Sequence, residues 1–362
     1  MIDGLLEGAL TENQDQVHYE TEKDITKGGR CTCIFCTVAA PTVDLYDVAR
    51  VTIDTLPDLA LLDIFDFYVD EKLHIEVWFK LVHVCRKWRN IVFGSPRRLN
   101  LRLFFDARTP VKEKLDVWPH LPIFVSDSGS RMCGMDNIIA ALEHKDRICQ
   151  LNLNDLQNSQ LETVLSRMQE PFPALTCLLL RHRYGHEPPL PVIPASFLGG
   201  SAPHLKSLWF NFILFPGLPN LLLSATYLVN LGLRDIPYSG YISPEEMVAC
   251  LSVLTKLETL AIGFESFQSR PQTSRHPSPQ TRTLLPVLTS FEFGGVKEYL
   301  EELVARIDAP LLNQVTITFF RQRFDSDIPQ LTKFFDRTPK LKAHDEAHGV
   351  LHELRHSRCI SI

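Results

Sequence analysis

The sequence predicts a chain of mixed class, α+β or α/β, in which an N-terminal α-helical unit is followed by an irregular solenoid of strand-bearing repeats. Three observations carry that expectation. Apolar residues recur at helical spacing between residues 52 and 93. A hexamer of the form apolar-x-x-apolar-x-apolar occurs seven times between residues 148 and 317. The 362 residues are 45% hydrophobic and 22% charged, an ordinary composition for a chain of one large domain or two to three smaller ones.

Residues 1–50 show no sustained periodicity and read as a loose tail. They hold Cys31-x-Cys33-x-x-Cys36 and His18, but structural zinc usually takes four ligands, and no second Cys or His pair lies at zinc-finger spacing. Acidic residues without a basic start exclude a secretory signal. No run of apolar residues approaches the roughly 18 that a membrane helix needs. The net charge of -6 gives no pull toward nucleic acid. Nine cysteines is an odd count, and Cys85, Cys149, Cys177 and Cys250 sit in apolar contexts suited to reduced thiols, so a cytoplasmic or nuclear location is expected.

Residues 51–104 form the helical unit. Pro57 suits a first helical position, and Leu61, Ile64, Phe65 and Tyr68 follow on one side. In a second helix, Trp78, Leu81, Cys85, Trp88 and Val92 make one stripe. So short a unit buries too little surface to stand alone. Arg86, Lys87, Arg89, Arg97, Arg98 and Arg102 make its far side basic, a solvated face or one offered to an acidic partner. Residues 105–146, with Pro110, Pro119 and Pro122, read as a connector.

Residues 147–343 carry the hexamers, beginning at Ile148, Leu175, Leu205, Leu228, Leu257, Leu288 and Leu312, with separations of 23 to 31 residues. That pattern and period are those of leucine-rich repeats, each a short strand that hides its apolar face only against its neighbours. The Asn or Cys usual three residues past the last apolar position is replaced by Leu156, Arg183, Ile213, Ile236, Glu265, Val296 and Phe320, so the repeats are irregular. Ser159–Met168, Ser243–Leu254 and Val296–Ile307 read as intervening helices, the first two opened by capping serines. Residues 265–283, rich in Ser, Pro, Gln and Arg, form a flexible loop. The alternate strand positions point to the concave face. Most are small or polar there, while Leu179 and Trp209 stand out as apolar anchors; with Asn152 and Glu292 they are the candidate target-binding residues.

The tail at 344–362 contains His352-Glu353-Leu354-Arg355-His356, an H-E-x-x-H that on a helix could chelate zinc with Glu353 as general base. No third ligand follows it. No nucleotide-binding or nucleophile motif occurs, so no catalytic residue, metal or cofactor is expected.

Leu56-Pro57, Leu61-Leu62, Ile64-Phe65, Leu81, Val84-Cys85 and Trp88-Arg89 resemble the F-box, and the continuations Ser95–Leu103 and Thr109–Val125 resemble the F-box-like proteins of mushroom-forming fungi. The resemblance runs over most of residues 52–349 and departs at Leu59-Ala60, where the family has Glu-Leu. It implies docking on a Skp-type adaptor through Leu56, Pro57, Leu62, Ile64, Phe65 and Trp88, and through it on a cullin–RING ligase. The expected function is that of a non-catalytic receptor for an unknown protein target. An interaction scaffold with a vestigial F-box is the alternative, and a zinc hydrolase using His352, Glu353 and His356 a third.

Overall fold

A computed structural model describes residues 53–71, 77–106, 110–127, 135–183, 192–265, 281–320, 328–341 and 359–361. Two compact units divide the chain, Met1–Thr55 and Leu56–Ile362. The first is described only at a 3-10 turn, Ile53–Thr55. The thiols at 31, 33 and 36 and the His352–His356 motif lie outside the described residues.

The second unit opens with three helices, α1 (Asp58–Glu71), α2 (Val77–Val84) and α3 (Arg86–Gly94). The single stripe expected from Trp78 to Val92 is broken at Cys85, whose backbone is extended. The break is stabilised from the side: Arg89 Nε donates to the Val82 carbonyl at 3.0 Å, which the end of α2 leaves without a helical partner. Trp78 and Val92 stay buried across the break, and Phe65 of α1 packs on Trp88 with ring centroids 4.7 Å apart.

Nine parallel strands follow in strict sequence order. They are β1 (Leu103–Phe105), β2 (Ile123–Asp127), β3 (Ile148–Leu156), β4 (Cys177–His182), β5 (Ser207–Asn211), β6 (Asn230–Ile236), β7 (Thr259–Phe264), β9 (Ser290–Gly295) and β11 (Gln314–Phe319). A tenth, β12 (Cys359–Ser361), joins β11 antiparallel. Strands β8 (Thr283–Leu284) and β10 (Ile307–Asp308) form a separate parallel pair. The connecting helices are α4 (Val111–Val117), α5 (Met135–Leu142), α6 (Asn158–Arg167), α7 (Leu218–Ser224), α8 (Pro244–Leu251), α9 (Lys297–Val304) and α10 (Pro329–Asp336). They pack side by side, α4 on α5 on α6 and α7 on α8 on α9 on α10.

The expectation of a helical unit followed by a leucine-rich-repeat solenoid is corrected by this arrangement. The chain is α/β: one large parallel sheet with helices, sharing a single apolar core with α1–α3. Two physical reasons explain the difference. The hexamer pattern is also that of any parallel strand covered by helices on one face, and Leu103, Phe105, Ile123 and Val125 continue the same inward alternation ahead of it. Four of the seven positions where a repeat ladder would place Asn or Cys, Leu156, Ile213, Ile236 and Val296, are core instead, while Arg183 and Glu265 are exposed.

Within the sheet the inward pairs Leu151/Leu153, Leu178/Leu180, Leu208/Phe210, Leu231/Leu233, Leu260/Ile262, Phe291/Phe293 and Val315/Ile317 are buried. Polar side chains fix the joints. Arg147, itself buried, donates through Nε and Nη2 to the Leu121 carbonyl at 3.0 and 2.9 Å and so ties the approach to β2 onto β3. Glu301 of α9 accepts from the Gln330 and Leu331 amides, both at 2.9 Å, satisfying the start of α10. At the β1 edge, Trp78 Nε1 donates to the Arg102 carbonyl at 3.3 Å and Lys114 Nζ to that of Phe104 at 3.3 Å.

Candidate functional site

With the helices covering one face of the sheet, the other face carries the alternate residues of each strand in rows set by the register. One row runs Asn152, Leu179, Trp209, Gly232, Ala261, Glu292, Thr316 across β3 to β11. All four candidate target-binding residues stand in it, and each is half-buried.

Trp209 is the centre of the row. Its indole lies over Gly232, where a Cβ would meet Cε3 at 1.9 Å, so the flat placement depends on glycine there. Nε1 donates to Ser207 Oγ at 3.0 Å, which fixes the ring in its plane. The Arg234 guanidinium sits 5.4 Å from the ring centroid, a cation–π distance, and its Nη2 donates to Glu292 Oε2 at 2.5 Å. Arg234 thus reaches across β7, which offers only the small Ala261 and Gly263, to bridge two strands of the row. With both side chains nearly half exposed, the pair contributes at most about 1 kcal/mol and holds shape rather than stability. Asn152 Oδ1 accepts from Asn154 Nδ2 at 2.8 Å. Beside the row, burial pushes the Asp235 carboxyl above the usual carboxylate range, against hydrogen bonding by Asn211 and the charges of Arg181 and Arg234.

Arg234 is the residue the sequence reading missed. It lies one position past the sixfold apolar template of its strand, and only its place after Leu233 on an alternating strand could have pointed to it.

The second candidate surface is α1. Leu62 and Phe65 are 6% and 1% exposed, and Trp88 is half-buried against Phe65, so these adaptor candidates face the core rather than a partner. Leu56 is half-buried, and its carbonyl accepts from Lys87 Nζ at 2.9 Å; Pro57 is exposed. Ile64 points outward, and beside it Leu59 and Phe67 are 72% and 71% exposed. These three positions span a broad arc of the helix: Leu59 and Phe67 stand opposite Leu61 and Phe65, Ile64 lies at the margin beside Tyr68, and Asp63 falls between Leu59 and Phe67. Arg98, from the segment after α3, pairs with Asp63 and lies 3.8 Å from Asp66, placing charge beside that apolar arc. Phe67 was also missed, although its place opposite the inward stripe was available.

Among the described residues no group of three or more His, Cys, Asp or Glu is arranged to hold a metal ion, and no helix is long and apolar enough to cross a membrane. A scan against protein-family models matches no family, and a search of curated proteins finds no match.

Proposed function

We propose that the chain is a non-catalytic substrate receptor that docks on a Skp-type adaptor through α1 and holds a protein target on the open face of its sheet. The observation that carries the first half is the outward arc of α1. Its inward face is already satisfied by the core, yet Leu59 and Phe67 on the other side, with Ile64 at the margin, remain exposed. Large apolar side chains grouped at a surface and rimmed by charge are what a protein interface requires. The Leu59-Ala60 departure from the F-box pattern then falls inside the interface. It replaces the family's acidic side chain with an apolar one, which favours an adaptor surface that is apolar at that point.

The target side rests on the Leu179–Trp209–Glu292 row. A rigid aromatic ring with an arginine against it is the composition of an interface anchor. Coupling the adaptor to a cullin–RING ligase would bring a bound target close to the conjugating enzyme, so that proximity supplies the rate and no side chain of this chain takes part in the chemistry. That role belongs to the cytoplasm, the nucleus or both.

Burial of Leu62 and Phe65 favours a second reading, an interaction scaffold that uses the sheet face alone without ubiquitylation. Co-purification of the full chain with the Skp adaptor separates the two. Wild type is expected to retain the adaptor, and Phe67→Asp to lose it by tenfold or more (about 1.4 kcal/mol or beyond) while the fold, followed by circular dichroism, persists. No adaptor bound to folded wild type, or equal binding by the variant, would sink the receptor reading and leave the scaffold.

A further inference from the structure

Behind β7 and β9, away from the open face, an ionisable cluster joins α8 to α9. Arg306, whose side chain is 10% exposed, sends Nη2 to two carboxylates at once: Glu245 Oε1 of α8 at 2.6 Å and Glu302 Oε1 of α9 at 2.9 Å. Its Nη1 is occupied by the Glu302 carbonyl at 2.8 Å. Two carboxyl groups that converge on one nitrogen are held side by side, so each disfavours the ionised form of the other. Side-by-side carboxyl groups are held together best with a proton on one of them, because two ionised carboxylates can only accept and repel each other.

We propose that Glu245 and Glu302 form a proton-dependent latch between α8 and α9, closed while the pair shares a proton and loosened when both ionise. The surroundings support it. Tyr241 and Tyr299 lie against the cluster with ring centroids 5.9 Å apart, and both hydroxyls are buried with no hydrogen-bond partner, so neither stabilises a second negative charge in this arrangement. Glu246, also on α8, is committed to the Ser243 cap. Arg282 donates through Nε to the Ala305 carbonyl at 3.2 Å. On the α10 side, Glu301 is taken up by the Gln330 and Leu331 amides, and Asp308 by Arg337. Helix α7, the other neighbour of α8, has no ionisable side chain. Ionisation of the pair releases one proton to solvent and leaves one guanidinium facing two carboxylates.

The sign follows from the same geometry. Burial first, then the contact with Glu245, raise the Glu302 carboxyl above its ordinary 4.5. A group raised in the folded state stabilises fully below its unfolded value, and that contribution is lost as pH climbs through the folded value. The latch therefore weakens toward neutral pH.

Hydrogen exchange of α8 and α9 amides in the full chain, corrected for intrinsic rates, tests this between about pH 5 and about pH 8. Wild type is expected to lose protection by about tenfold per pKa unit of the shift, while α6 amides hold theirs. Glu302→Gln, whose amide stands in for the protonated carboxyl, should make α8 and α9 protection independent of pH, and Glu245→Gln should do the same. Either variant alone suffices if the other does not fold. A wild-type profile without pH dependence, or the same slope in wild type and a folded variant, would overturn the latch.

Discussion

At the scale of single residues, the open face depends on one hydrogen atom. Gly232 leaves room for the Trp209 indole to lie flat, and that placement brings the ring under Arg234 and Arg234 toward Glu292. Gly232→Ala is expected to lift the ring and cost about 1–3 kcal/mol, the range for overpacking, read as a lower denaturation midpoint together with a changed tryptophan emission. An unchanged emission spectrum would mean that the ring does not rest on Gly232. The row itself was legible in the sequence, because strand alternation assigns Asn152, Leu179, Trp209 and Glu292 to one face whatever covers the other. Its internal contacts were not. Whether an indole tips over a neighbouring strand depends on the residue across the register, and register is absent from a one-dimensional pattern.

Elements follow the same division between local and nonlocal causes. Ser243, Pro244 and Glu246 spell a helix start, and α8 begins there with the Ser243 hydroxyl accepting from the Glu246 amide at 3.2 Å and the Glu246 carboxylate accepting from the Ser243 amide at 3.1 Å. Ser243→Ala should cost about 1 kcal/mol in chemical denaturation, and Ser243→Asp should recover most of it. A loss shared by both variants would place the effect elsewhere than the cap. By contrast Ser159, read as a cap, lies inside α6, which starts at Asn158 with the Gln157 amide donating to Gln160 Oε1 at 2.9 Å. The break at Cys85 was invisible for a different reason. The stripe from Trp78 to Val92 keeps its spacing through the interruption, so periodicity alone cannot report it. What permits the break is Arg89 turning back onto the Val82 carbonyl, a contact between helices.

For the whole molecule, the strands were legible, since each hexamer marks one, but the fold class was not: they line up in one parallel sheet rather than a solenoid, and the extent of that sheet was hidden too. Two strands of it, β1 and β2, lie ahead of the first hexamer, and their short alternations, Leu103/Phe105 and Ile123/Val125, are too brief to separate from loop. Because every strand of β1 to β7 pairs only with its neighbours in sequence, damage at one end should stay there. Trp78 tests that: it is 2% exposed, stacked at its edge on Phe79 and Trp118, and bonded to the Arg102 carbonyl ahead of β1. Trp78→Ala should cost about 3–5 kcal/mol locally, with exchange protection falling in β1 to β3 and unchanged in β9 and β11. Equal loss at both ends would show the sheet to unfold as one unit. The same two carbonyls have a colloidal consequence. A parallel sheet with a bare outer strand is a template onto which a second molecule can add its own, the first step toward fibrils. Here the outward carbonyls of Arg102 and Phe104 are already occupied by an indole N–H and a lysine ammonium, so a second strand approaching β1 finds those two acceptors taken by the protein's own side chains.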